Sequence, residues 1–242
     1  MANILERYGI KEVADVTFYE ITSTGGIGAP VLYLDTLKVS TIEQTADEAE
    51  ARGGKGNPPL IIWDYGKEIT ITLEDALFSA KSMAIMFGNG TVQDVTTIRK
   101  TQTFTATDTS TKPTSFTLPG GGTVAISGDT VYDANGSTVT QFTVGQQYFQ
   151  TFDVNITGSQ IVISANSFPG TYYVTGDTYA RSEVTGKDEF FQFIVSKAKM
   201  QAENTITLEA EGDPSVFNMN LRVMRPANGE MMKLVKYNIN EG

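Results

Sequence analysis

The sequence predicts a mainly β chain: a β-sandwich or barrel-like domain with one flanking α-helix, split by a second, smaller β-sandwich inserted into it. Three observations predict this class. Apolar and polar residues alternate with a period of two in several separate stretches, one stretch alone switches to a period of three to four, and Gly, Pro and Asn turn signals recur between them. With 242 residues, 40% of them apolar, the chain can fill one large core or two small ones.

Residues 16–21 and 31–44 read as extended, with the Gly-rich turn 23–30 between them. The next fourteen residues, 45–58, contain no large apolar side chain, so they read as a polar loop with nothing to bury. Loops of this length are uncommon in a compact domain unless functional or disordered. At roughly 3.3 Å per residue its tip could stand on the order of 20 Å off the body. The plain alternative is a mobile surface loop.

Leu60-Ile-Ile-Trp63 is a short apolar run within a strand at 59–65, Asp64-Tyr-Gly-Lys67 is a turn candidate, and 68–74 alternates strictly, with Ile69, Ile71 and Leu73 on one side. Together they predict a hairpin. From Leu73 through Leu77, Ala80, Ala84 and Phe87 the spacing becomes helical, which predicts a helix over 75–87 with Thr72 and Asp75 as a capping pair and Gly88 as its stop. Its apolar stripe reads as a face packed on a sheet, with Met83 and Met86 as fillers.

Between 101 and 180 the composition shifts: Thr recurs, Glu and Arg are absent, and the charges are Lys112 and five aspartates. Strand candidates at 115–118, 123–126, 138–144, 148–155, 160–164 and 172–175, with turn signals every ten residues or so, predict a small β-sandwich of its own. After Arg181 alternation returns at 191–196, 206–211, 217–223 and 231–239, with turns at 212–215 and 225–229. The words Thr70-Ile-Thr-Leu-Glu74 and Thr205-Ile-Thr-Leu-Glu209 match; two strands obeying one pattern explain this as well as a duplicated β-unit does. The expected organisation is a discontinuous domain, 1–100 with 181–242, and an insert at 101–180.

The sequence has no His and no Cys, which excludes Ser-His-Asp and Cys-His nucleophiles, zinc fingers, thiol redox chemistry and disulfides. Paired carboxylates, Asp64 with Glu68 or Glu209 with Glu211, have the right chemistry for sugar hydrolysis, but their strand context reads as solvated or interfacial. Asp133-Ala-Asn-Gly136 offers oxygen ligands at turn spacing without the remaining calcium-loop positions, and reads as a plain turn. Trp63 and Tyr65 read as core or interface packing before an aromatic binding platform. No enzyme activity and no cofactor are expected.

Net charge is −10 and the pI about 4.5, which withholds any unaided attraction to nucleic acid phosphates. Charge appears early in Met-Ala-Asn-Ile-Leu-Glu-Arg7 and no apolar run approaches the ~20 residues of a membrane span. Neither a signal peptide nor a membrane anchor is expected.

Two runs carry a resemblance. Residues 53–79, Gly-Gly-Lys-Gly-Asn-Pro-Pro-Leu-Ile-Ile-Trp-Asp-Tyr-Gly-Lys-Glu-Ile-Thr-Ile-Thr-Leu-Glu-Asp-Ala-Leu-Phe-Ser, and 208–217, Leu-Glu-Ala-Glu-Gly-Asp-Pro-Ser-Val-Phe, resemble the tail tube proteins of long-tailed bacteriophages, related to the tube proteins of contractile injection systems. The similarity covers roughly 30–90 and 185–240. It implies a β-sandwich subunit with a flanking helix that forms homohexameric rings, stacked into a hollow tube through which DNA is ejected, with a long hairpin loop touching neighbouring subunits. The partners implied are other copies of the chain, other tail proteins and DNA in transient, non-specific passage. The location implied is the virion tail after synthesis in the host bacterial cytoplasm. Asp47, Glu48, Glu50, Arg52, Lys55 and Asn57 become the expected subunit-interface residues of the 45–58 loop. The insert departs from the minimal family pattern and resembles the small immunoglobulin-like decorations of phage virion proteins. An acidic balance suits a conduit whose carboxylates repel phosphates. The competing reading is a binding module, an adhesin or carbohydrate-recognising β-protein whose active part is the insert.

Overall fold

Period-two alternation organises the first unit. The computed structural model describes residues 6–88, 90–206 and 216–237, and they are mainly β, 58% strand with one short helix and several antiparallel sheets, sandwich-like in character. One compact unit takes the described residues up to Thr91 and from Ile161 onward; the other is Val92–Gln160.

The first unit contains β1 (Tyr8–Ile10), β2 (Asp15–Ile21), β3 (Ile27–Leu34), β4 (Leu37–Arg52), β5 (Pro59–Asp75) and α1 (Ala80–Phe87). The second contains β6 (Gln93–Thr105), β7 (Ser115–Thr117), β8 (Thr123–Ala125), β9 (Ser127–Tyr132) and β10 (Gln147–Gln160). The chain then returns to the first with β11 (Thr171–Ser182), β12 (Asp188–Met200), β13 (Phe217–Val223) and β14 (Lys233–Tyr237). Nine of these strands form one sheet in the order β3-β2-β11-β12-β13-β5-β4, with β1 on β11 and β14 on β12. All of its pairings are antiparallel.

One face of that sheet is the core. Val16 and Phe18, Val174, Phe193 and Val195, Met219 and Leu221, and Ile69, Ile71 and Leu73 project to it from successive strands, joined by Ile85 and Met86 of α1. Each such side chain contributes about 1.5–3 kcal/mol on burial. The helix differs from expectation at its start. Asp75 ends β5 instead of opening α1, and its buried carboxylate accepts from the Thr36 hydroxyl at 2.5 Å and the Leu77 amide at 3.2 Å. Thr72 does not pair with it, donating instead to Asn220 Oδ1 across the sheet at 3.1 Å. Ser79 is the N-cap, in a reciprocal capping box with Ser82, and Gly88 ends the helix as expected. A strand and a cap compete for the same residues here, and pairing of Asp75 with Phe217 of β13 wins.

In the second unit β6, β10 and β9 form one sheet and β7 with β8 a two-stranded ribbon. Ala106, Val131, Phe142 and Tyr148 are its core, with Phe104 packed edge-on to Phe142 at 5.5 Å between ring centroids. Gln150 is fully buried yet satisfied, accepting from Gln102 at 2.9 Å and donating to Pro113 O and to Asp129 at 3.0 and 2.7 Å. Burial pushes the Asp129 carboxyl up, but Lys112 and Gln150 outweigh it and hold the group below its ordinary value.

The unit boundaries differ from the compositional ones. Residues 92–100 enter the second unit through β6, and the strand candidate at 172–175 belongs to the first sheet, between β2 and β12. Threonine content marks strand surface, whereas pairing decides membership: Tyr172 and Val174 alternate into the first core. Residues 138–144 form no strand beyond an isolated bridge of Thr138 to Tyr132, and 161–164 form none. Within the candidate strand at 206–211, Ile206 lies outside any strand, and 207–211 with the turn 212–215 fall outside the described residues, as do 238–239 of the last strand.

Candidate functional site

The expected polar loop is two different things. Residues 45–52 continue β4 in register with β5: Asp47 faces Tyr65, Glu48 faces Asp64, Ala49 faces Trp63, Glu50 faces Ile62 and Ala51 faces Ile61. Only 53–58 turn the chain. The Gly53 amide donates to Pro58 O at 3.3 Å and the Asn57 amide to Gly54 O at 3.1 Å, and Asn57 sits at φ 51°, a left-handed conformation that Asn tolerates better than most residues. The turn expected at 64–67 is absent; those residues lie within β5. Backbone pairing corrects the expectation, because a strand paired along its length needs no large side chain of its own.

The ribbon therefore has a stem, 37–45 against 68–75, and an arm, 46–67. On its inner side β5 of the stem is hydrogen-bonded to β13 from Arg222↔Thr70 to Phe217↔Asp75. No third strand among the described residues pairs with the arm. At roughly 3.3 Å per residue the eight residues from Thr45 to Arg52 extend about 25 Å.

Each expected interface residue is on this arm. Asp47, Glu48 and Glu50 lie along β4, Lys55 and Asn57 at the tip, and Arg52 pairs with Glu50 two residues back, Nε to Oε2 2.5 Å, so part of the charge expected for a neighbour is satisfied within one strand. An exposed pair of that kind is worth about 0–1 kcal/mol. The residues that polarity alone did not nominate are on β5: Leu60, Ile61, Ile62, Trp63 and Tyr65 are each 52% to 65% exposed. They do not join the core.

A one-residue irregularity separates stem from arm. Thr45 faces Glu68 but Asp47 faces Tyr65, so β5 spends two residues, Gly66 and Lys67, where β4 spends only Ala46. Gly66 has φ +64°, and a Cβ there would lie 2.8 Å from the Asp47 carboxylate. This is a bulge whose first residue must be glycine. It also undoes the paired-carboxylate reading: Glu68 and Asp64, on either side of the bulge, face opposite sides of the ribbon, and Glu68 is ion-paired with Arg222.

Other candidates are accounted for locally. The Asp133 carboxylate accepts from the Asn135 and Ser137 amides at 2.9 and 2.8 Å, closing its own turn. A cleft of about 590 Å³ is lined by Glu12, Asp15, Asp177, Arg181 and Asp188, and there Arg181 holds Asp188 bidentately at 2.7 Å, keeping that carboxyl below its ordinary value. Among the described residues no group of three or more carboxylates is placed to hold a metal, and no helix is long and apolar enough to cross a membrane.

No curated protein matches the chain. A family model does: that of the YomU/Tube protein family, over residues 8–236, a span that takes in both compact units and the whole arm. The match runs along nearly the full length of the chain, and the chain belongs to the YomU/Tube protein family, a family of phage tail tube proteins.

Proposed function

We propose that the chain is a tail tube subunit that self-assembles into hexameric rings, stacked into a conduit for DNA ejection, and that the β4–β5 arm is its main inter-subunit contact. The observation that carries this is the arm's run of exposed apolar side chains, Leu60 to Trp63 with Tyr65, on a ribbon to which no third strand pairs among the described residues. An isolated two-stranded ribbon is marginal in water, and an exposed apolar edge is an invitation to pair. Protein from outside the subunit supplies what is missing.

The two ends of the nine-stranded sheet are unlike, β3 at one and β4 at the other. Contact between unlike ends is head-to-tail, and head-to-tail contacts close into rings when the rotation permits. A net charge of −10 per copy supports passage of DNA without adhesion. The Val92–Gln160 unit, with its own core, reads as a decoration that the ring does not need for closure.

The test replaces residues 46–67 by Asn-Gly, a two-residue turn that closes the stem between Thr45 and Glu68. The variant folds, by circular dichroism and a cooperative melt, and gives no rings or tubes by negative-stain electron microscopy at concentrations where the parent does. Tubes of normal diameter from the shortened chain would refute the role of the arm.

A further inference from the structure

We infer that the Gly66 bulge selects the adhesive face of the arm, and that the row Ile61, Trp63 and Tyr65 on that face seats on a second copy of this chain; this rests on the tube-subunit reading above. In the stem, the odd-numbered residues of β5, Ile69, Ile71 and Leu73, face the core. Unbroken alternation would put Tyr65, Trp63 and Ile61 on that same side. The extra residue at Gly66–Lys67 reverses the alternation, because a slip of one residue exchanges the two faces of a strand. The row therefore faces away from the core side, and Ile62 and Asp64 take the core side instead.

The two faces of the arm then differ in chemistry. Opposite Trp63 and Ile61 stand Ala49 and Ala51, small side chains that leave the larger ones clear, and the sole acid is Asp47 opposite Tyr65. The other face sets Ile62 and Asp64 against Glu50 and Glu48. A second copy also carries −10, so approach through the acidic face brings like charges together, whereas the alanine-backed row offers apolar contact at little electrostatic cost.

Size argues for a protein occupant as well. Aromatic side chains bury about 150–250 Å² each when fully covered, so the three half-exposed large side chains of the row offer on the order of 300 Å². That is about a third of the ~800 Å² per partner of a standard interface. The unlike far edge of the sheet supplies a site on the second copy, where Ile27 and Tyr33 of β3 are exposed.

Trp63 is the only tryptophan in the sequence, so emission of the intact chain reports on this face alone. Fluorescence is followed across a concentration series beside sedimentation velocity, for the parent, Ile61→Asp, Ile62→Asp and a deletion of Gly66. The parent's emission moves to the blue as oligomers form. Ile61→Asp and the Gly66 deletion weaken association by about tenfold or more, while Ile62→Asp weakens it less than about threefold. Should the deletion fail to fold, the Ile61 and Ile62 pair decides. Oligomers whose Trp63 emission stays put, or equal losses from the two isoleucine variants, overturn the face assignment and leave the tube reading standing. A blue shift that requires a different protein overturns the second copy as occupant. A chain that stays monomeric throughout overturns both.

Discussion

Stem and arm are parts of one ribbon, built from the same two strands, yet Ile71 and Leu73 of the stem are fully buried whereas Ile61, Ile62, Trp63 and Tyr65, on both faces of the arm, are about half exposed. What separates them is β13, which pairs β5 from Asp75 down to Thr70 and no further. Alternation thus records that a face is to be buried without saying by which molecule. In the stem the answer lies in the same chain; in the arm, under the proposed function, it lies in a neighbouring copy.

The largest effect that tests this contrast comes from paired truncations. Leu73→Ala costs about 2–5 kcal/mol of monomer stability, as for buried leucines generally. Ile62→Ala changes it by less than about 0.5 kcal/mol, as for exposed positions away from special features. Urea denaturation of both, below the concentration of assembly, reads the difference. Comparable losses would mean that the arm is held by its own subunit.

The stem was legible in the sequence because β5 and β13 obey strict alternation: Ile69, Ile71 and Leu73, and Phe217, Met219 and Leu221, were assigned one face each and occupy it. The arm was not, for two physical reasons. Residues 45–52 are rich in Ala, Asp and Glu, poor strand formers by side chain, and their strand is specified by pairing with β5. Asp64-Tyr-Gly-Lys67 has turn chemistry, but a glycine at positive φ serves a bulge as well as a turn. The six expected interface residues do share the arm, because polarity without apolar content does mark a segment outside the core. Trp63 and Tyr65 were read as core or interface packing, and choosing between these required knowing where β13 ends. The insert's boundary was blurred for a similar reason, since the strand containing Tyr172 and Val174 has the insert's composition and the first sheet's partners.

The bulge offers a middle-sized test. Gly66→Ala forces an L-residue into φ +64° and drives a Cβ to 2.8 Å from the Asp47 carboxylate. The left-handed conformation alone costs about 1–2 kcal/mol for a non-glycine. Because the arm carries little of the monomer's stability, that cost is spent locally: the global melt moves little, while amide exchange of the arm accelerates roughly five- to thirtyfold. Adding Asp47→Ala relieves the clash and leaves the backbone strain, so exchange slows part of the way back. Full recovery would show that the carboxylate, not the left-handed backbone, makes glycine necessary.

The smallest effect tests whether the stem is held by burial or by charge. Arg222, at the last position where β13 pairs with β5, is ion-paired with Glu68, the last stem residue before the bulge, and both side chains are about half exposed. Exposed pairs contribute about 0–1 kcal/mol and are screened as the Debye length falls from ~10 Å at 0.1 M salt to ~3 Å at 1 M. Arg222→Ala therefore lowers the melting temperature slightly at low ionic strength and becomes nearly indistinguishable from the parent at 1 M sodium chloride. If Arg222→Ala instead matched Leu73→Ala and resisted salt, the stem would owe its order to the ion pair at its end. The contrast with the arm would then rest on one charge, Arg222, which is absent beyond the bulge, rather than on the strand that stops there.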